Sequence, residues 1–179
     1  MPNFQKYDIA KSQLETAVDL FFRGLSYHSV ITLAGAASGI LSGLVRAAGK
    51  ETFVDYARRV HEGMRGHMPK RDSYAHHIEK ILGISAHKHL SEKDTDTVEL
   101  DLEHLAADAL ARAIADYVTL YGQHEPFVSA YLRWAWVKKD GPRMMELYEA
   151  VPENMRCWRR SNSDHLCRLN FDQGLLPAV

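Results

Sequence analysis

The sequence predicts an all-α protein, a bundle of about six or seven helices. Apolar residues recur at three- and four-residue steps along most of the 179 residues, which is the period of a helix with one buried face. Glycine or proline separates these segments, so the connections between helices are expected to be short. A chain of this length can bury a core without disulfides or metal ions. We expect one domain over residues 1–150 and a C-terminal extension, residues 151–179, that packs on it or is partly flexible.

The first two helices are predicted from apolar stripes and their end signals. Residues 10–23 place their apolar side chains on one stripe, and Gly24 is expected to end this helix. Ser26 is a typical helix N-cap. It predicts a second helix that runs to about Ala48 and stops at Gly49.

The second helix contains an uncharged run, VITLAGAASGILSGLV, with glycine at positions 35, 39 and 43. Sixteen residues at a rise of about 1.5 Å span about 24 Å, which is shorter than the hydrocarbon core of a bilayer. We therefore expect no membrane span. The pattern favours a central buried helix whose glycines let a neighbouring helix approach closely.

Two further helices and a break follow. Residues 51–62 predict a short third helix, and the loop after it contains Gly66 and Pro69. A fourth helix is predicted from about Ser73 to Gly83. The polar SEKDTDT segment is expected to be turn-like, and TVELD is a short alternating segment that fits an extended conformation.

The strongest helix signal lies in LEHLAADALARAIADYVTLYG, which Asp101 caps and Gly122 ends. Pro126 is expected to open the next helix, PFVSAYLRWAWVKKDG. Its aromatic residues are more typical of a core than of a platform for stacking bases. A last short helix is predicted from Pro142 to about Tyr148.

Composition gives no global reason to expect a nucleic-acid partner, because 22 Lys and Arg stand against 23 Asp and Glu, a net charge of −1. Two cysteines, Cys157 and Cys167, are too few for a disulfide-stapled secreted scaffold. The N-terminal MPNFQKYDIAKSQLE lacks the apolar stretch of a signal peptide. We therefore expect a cytoplasmic protein.

Charge is nevertheless uneven along the chain. Residues 58–93 carry eight lysines and arginines against four acids, together with six histidines. Residues 94–125 carry eight acids and only Arg112. Such a contrast is typical either of a surface that faces phosphate or of faces that pair with each other or are solvated, and we favour the second interpretation.

Four of the ten histidines lie in HHIEKILGISAHKH, residues 76–89. His76 and His77 point about 100° apart on a helix, so we expect them on the helix surface. His87 and His89 form H-x-H, whose rings converge only where the backbone is extended. Neither an HExxH motif nor paired CxxC motifs supply the ligands that zinc requires. We therefore expect no metal ion and no cofactor.

The segment AHKHLSEKDTDTVELD, with TLAGAASGIL before it and LAADALARAIADYVTLYG after it, resembles a group of small bacterial helical proteins. In those proteins this region has the order R-N-x-x-K-H, an acidic loop, a T-[VL]-E-[FL] segment and a long helix. That motif is of the R-x4-H kind found in HEPN (higher eukaryotes and prokaryotes nucleotide-binding) domains. The resemblance covers roughly residues 12–122. It implies a helical bundle that forms a homodimer, and active members cut RNA without metal.

Lys88 and His89 match the K-H of that motif, whereas its arginine falls on Ile84 and its asparagine on Ser85. In a metal-free RNase the histidine transfers a proton and the arginine holds the phosphate as charge builds. Isoleucine cannot hold a phosphate. Arg71, which stands in R-x4-H order in RDSYAH, or an arginine of a partner subunit is the substitute that such an enzyme requires.

The resemblance therefore implies a non-catalytic or weakly active module that binds RNA, a nucleotide or a protein partner. The alternative is a metal-independent RNase in which His89 acts in acid/base catalysis, with Lys88 and His87 beside it and Arg71 on the phosphate. A further alternative is a helical protein that binds a small ligand or a metal ion through His87 and His89.

Overall fold

Seven α-helices and no strand make up the part of the chain that the computed structural model describes, residues 3–88, 97–139 and 141–142. This architecture confirms the predicted all-α bundle of about six or seven helices. The helices are α1 (Lys6–Phe22), α2 (Tyr27–Ala47), α3 (Phe53–Arg65), α4 (Arg71–Ile81), α5 (Ile84–Lys88), α6 (Leu102–Tyr121) and α7 (Pro126–Lys138).

The core lies between α1, α2 and α6, with α2 in contact with both of the others. Most of the apolar residues that predicted α1 are buried. In α2 the small residues Ala34, Gly35, Ala37 and Ser38 are buried, whereas Gly39 is exposed. Helix α6 differs from the prediction, because it is buried on most sides and not along a single stripe. The largest fully buried side chains of these helices are Leu14, Ile31, Leu41, Leu110, Ile114 and Tyr117.

The residues predicted to begin α2, α6 and α7 do so in the structure. The Ser26 side chain accepts the backbone N–H of Ser29 at 3.3 Å at the start of α2. The Asp101 carboxylate accepts the N–H of His104 at 3.2 Å at the start of α6. Pro126 occupies the first turn of α7. Local hydrogen bonds that the sequence alone specifies therefore set where these helices begin.

Helices α3 and α4 lie where they were predicted, with shifted ends. Thr52 caps α3 because its hydroxyl accepts the N–H of Asp55 at 3.1 Å, and the left-handed Gly66 ends it at φ 77°. Helix α4 begins at Arg71, two residues before the predicted start.

The sequence did not predict α5, a five-residue helix that follows Gly83. Residues 97–100 form neither helix nor strand. The predicted helix after Pro142 and the extension over residues 151–179 lie outside the described residues, so the domain boundary stays a prediction.

Helix α2 is the one helix within the described ranges that is long and apolar enough to cross a membrane. It has 21 residues and is about 31 Å long. The expectation of no membrane span therefore cannot rest on length, as it did for the shorter uncharged run. Half of its most apolar stretch is buried inside the protein. Packing against α1 and α6 accounts for this apolar composition. The finding agrees with the prediction of a central buried helix.

Candidate functional site

The position that the resemblance aligns with an arginine lies in the core. Ile84, the first residue of α5, is 0% exposed and faces Gly35 of α2. A Cβ at Gly35 would lie 2.7 Å from Ile84 Cγ2, closer than carbon atoms approach, so glycine is required for this contact. Gly39 and Gly43 have no such neighbour within 4 Å. Of the three glycines, Gly35 is therefore the one that lets another helix approach.

Because α5 packs on α2 at this point, it brings together two histidines that are 59 positions apart. His28 Nδ1 lies 2.9 Å from His87 Nε2, and the ring centroids are 5.1 Å apart. His87 Nδ1 lies 2.7 Å from the Gly83 carbonyl oxygen. Sequence reasoning chose His87 and missed His28, which stands alone in the first turn of α2 and carries no local signal.

The hydrogen bonds constrain the protons of this pair. A carbonyl oxygen can only accept, so His87 Nδ1 carries a proton. In the neutral ring His87 Nε2 is then an acceptor, and His28 donates to it from Nδ1. The remaining nitrogen of His28, Nε2, then carries the lone pair of the neutral ring, and no hydrogen bond to it is formed within the described residues. The Gly83 carbonyl orients one ring, and that ring orients the other.

Lys88 is exposed at the end of α5, next to His87 in the chain. Its Cε lies 3.5 Å from the Cβ position built on Gly35, so the stem of the side chain runs along α2. The end of this stem therefore lies near Gly35, about two turns along α2 from His28. The imidazole pair and Lys88 both lie on the α2–α5 contact. His89 lies outside the described residues, and its role stays a prediction.

Arg71 is engaged elsewhere. Its Nε donates to Asp55 Oδ1 at 3.0 Å, and its Nη2 lies 3.5 Å from the Thr52 hydroxyl. The Arg71 guanidinium thus ties the start of α4 to the capping turn of α3. Burial pushes the pKa of Asp55 upward, but the Thr52 hydroxyl and the nearby guanidinium groups outweigh burial and hold that pKa below its usual value.

Beneath this turn lies a buried carboxylate that the sequence prediction missed. Asp116 of α6 is 1% exposed, and its Oδ1 accepts the backbone N–H of Phe53, the first residue of α3, at 2.7 Å. Burial raises the pKa of Asp116 from 3.8 to about 6, although the Phe53 N–H and the Arg112 charge oppose the rise. The available signal was a carboxylate three residues after Ala113 and four before Leu120, beside the apolar stripe of α6.

Arg112, one turn before Asp116, is 4% exposed. Its Nη2 donates to Glu79 of α4 across a long 3.4 Å contact. Arg112, the one arginine among the acidic residues 94–125, is thus buried between α6 and α4. Together, Arg112 and Asp116 connect α6 to both α3 and α4 through polar contacts.

The structure describes the basic segment, residues 58–93, only as far as Lys88. Arg58 and Arg59 form ion pairs with Asp55 and Glu51, at or just before the start of their own helix.

Within the described residues no three His, Cys, Asp or Glu side chains lie close enough together to hold a metal ion. His89 lies outside the described residues, so its pairing with His87 stays a prediction.

The aromatic residues of α7 contribute to the core. Tyr131 is buried, and its hydroxyl donates to the Ala107 carbonyl at 2.6 Å. Trp134 packs edge-on against Phe21 with the centroids 4.8 Å apart. These contacts agree with the interpretation of the aromatic stripe as core.

Comparisons of the chain with protein-family models, with curated proteins and with solved structures give no match. The resemblance to HEPN domains therefore stays a prediction from the motif and its spacing.

Proposed function

We propose that this chain is a HEPN-like cytoplasmic module, non-catalytic or weakly active, that binds RNA or a nucleotide through its phosphate groups. The observation that carries the proposal is the His28–His87 pair on the α2–α5 contact, to which the exposed Lys88 also belongs about two turns of α2 away. When His28 Nε2 carries a proton, its N–H and the Lys88 ammonium can each donate to a phosphate oxygen of a ligand that lies along this contact. We place the ligand there.

The surroundings of the two candidate arginine positions favour binding over cleavage. Ile84 is packed against Gly35, which leaves no room for an arginine in its place. The Arg71 guanidinium is held by Asp55. A metal-independent RNase with His89 in acid/base catalysis needs a guanidinium on the phosphate. With Arg71 held by Asp55, an arginine of a second subunit in a homodimer is the other source that the sequence analysis named.

Binding is tested by fluorescence polarisation of a labelled single-stranded RNA over a range of salt concentrations. For single strands the logarithm of the affinity falls with the logarithm of the salt concentration by about 0.7 per phosphate contacted. We expect Lys88→Gln to weaken binding and to reduce that slope by about 0.7. Affinity that does not change with salt, or a slope unchanged by Lys88→Gln, would contradict the proposal.

A matched control is Lys6→Gln, which removes an exposed lysine from the first turn of α1. Helix α1 has 17 residues and spans about 25 Å, and its last turn precedes α2 and His28. Lys6 therefore lies far from the proposed site, and its loss should leave the slope unchanged.

The RNase alternative is tested by incubating transfer RNA and single-stranded RNA with the protein in excess chelator, beside His89→Ala. Cleavage by the wild type that the variant loses would establish a metal-free nuclease. Binding without cleavage at high protein concentration would support the module proposed here.

A further inference from the structure

Three tyrosines meet where the start of α1 lies beside the end of α6. Tyr7 belongs to the first turn of α1, whereas Tyr117 and Tyr121 are one turn apart near the end of α6. The ring centroids of Tyr7 and Tyr121 are 4.2 Å apart, and those of Tyr117 and Tyr121 are 5.3 Å apart. Paired aromatic rings usually have centroids about 4.5–7 Å apart. Tyr7 and Tyr121 are therefore in close contact, although they belong to different helices.

A hydrogen bond to the core fixes the position of the Tyr7 side chain. The hydroxyl oxygens of Tyr7 and Tyr117 are 3.1 Å apart, so one hydroxyl donates to the other. Tyr117 is 0% exposed and belongs to the hydrophobic core. The Tyr7 ring is thus held against Tyr121 at one end of the bundle.

The Tyr7–Tyr121 pair is accessible from solvent, in contrast to Tyr117. Tyr121 is 42% exposed, and Tyr7 is partly exposed. Burial and the neighbouring Tyr7 raise the pKa of Tyr121 above its ordinary value of 10.0, so the Tyr121 phenol is protonated at neutral pH. A small oxidant in solution can therefore reach both rings, and oxidation of Tyr121 releases a proton.

We propose that Tyr7 and Tyr121 are a site of oxidative crosslinking, where a peroxide-derived one-electron oxidant joins the two rings as dityrosine. Each phenol loses one electron to the oxidant and one proton to water, which leaves a phenoxyl radical. The two radicals form a carbon–carbon bond between positions ortho to their oxygens. A proton then moves from each of these carbons to the oxygen of its own ring, which restores both phenols. The peroxide takes up the two electrons as its O–O bond breaks.

The crosslink would tie the start of α1 to the end of α6. It would close a long loop of the chain and so restrict the unfolded state, which raises stability. The site lies at the end of α1 opposite to α2 and His28, so this proposal does not depend on RNA binding.

The test uses photoactivated ruthenium tris-bipyridine with persulfate, a small oxidant, on the full chain. Low protein concentration favours coupling within a molecule, because the two rings are already held together. We expect dityrosine fluorescence and a monomer whose mass is lower by two hydrogen atoms. Trypsin digestion should give a crosslinked peptide that joins residues 7–11 to residues 113–133, with the bond between Tyr7 and Tyr121.

Tyr7→Phe and Tyr121→Phe each remove one phenol and keep the ring, so the crosslinked product should fall to background. The matched control is Tyr74→Phe, a partly exposed tyrosine of α4 that packs against His61 and His77. This control should retain the full yield. A product that persists in either of the first two variants, or that maps to other tyrosines, would overturn the proposal.

The same reaction on the wild type in urea gives a second test, which needs no variant to fold. Unfolding separates the two rings, so we expect the crosslinked monomer to be lost. Equal yields in buffer and in urea, or no crosslink in the folded protein, would show that the contact between Tyr7 and Tyr121 does not direct the coupling.

Discussion

The helices α1, α2 and α6 and the pair α3 and α4 are held in the bundle by different forces. The first three contribute five, eight and eleven buried residues, whereas α3 contributes one and α4 none. Apolar packing holds the first set. Hydrogen bonds and ion pairs at Phe53, Arg71 and Glu79 hold the second. The difference predicts that substitutions in the core will lower stability severely. Substitutions in the polar contacts should lower it less, and by an amount that depends on pH.

The largest effect is expected from Ile84→Arg, which would introduce an arginine where the resemblance aligns one. Because Ile84 is 0% exposed and touches Gly35, the new charge would be buried without a partner. We expect a loss of about 4 kcal/mol or more of unfolding free energy, measured by urea denaturation. The control Ala86→Arg, at an exposed position of the same helix, should change stability little. A stable Ile84→Arg protein that cleaves RNA would show that α5 is not packed as described.

Stability should also depend on Asp116 through pH. Because the pKa of Asp116 rises from 3.8 to about 6 on folding, the folded state binds more protons between these values. Stability from this group is therefore fully present below about pH 3.8 and is lost as pH rises through about 6. We expect the difference between wild type and Asp116→Asn to change by about 2 to 3 kcal/mol from pH 4 to pH 7.

Subtracting the variant from the wild type removes the contributions of titratable groups that do not interact with Asp116. Urea denaturation curves at several pH values give the comparison. A difference that stays constant across this range would mean that Asp116 is not buried as a carboxylate.

Glycines of α2 provide a comparison within one helix. Gly35→Ala puts a Cβ within 2.7 Å of Ile84 Cγ2 and should destabilise by about 1 to 3 kcal/mol. Gly39→Ala meets nothing within 4 Å and should stabilise by up to about 1 kcal/mol. Combining Gly35→Ala with Ile84→Leu, which moves the branch away from the backbone, should recover part of the loss. Equal effects at the two glycines would refute the close approach of α5.

The same division explains how much could be predicted from the sequence. Apolar periodicity and caps such as Ser26 and Asp101 are local, so six of the helices were predicted with errors of a few residues at their ends. The His28–His87 and Phe53–Asp116 contacts join positions 59 and 63 apart, and no local pattern specifies them. They exist because α2 and α6 form a core on which α5 and α3 pack.

The smallest effect is expected from Arg71→Gln, and it separates a structural role from a functional one. The Arg71–Asp55 pair is about one quarter exposed, so solvent screens it and its loss should cost no more than about 1 kcal/mol. If Arg71 only ties α4 to α3, RNA affinity and its salt dependence will not change. Should Arg71 instead hold a phosphate, as the RNase alternative requires, the salt slope would fall by about 0.7 while stability changed as little. Because the two roles move different observables, polarisation and urea denaturation on this one variant decide between them.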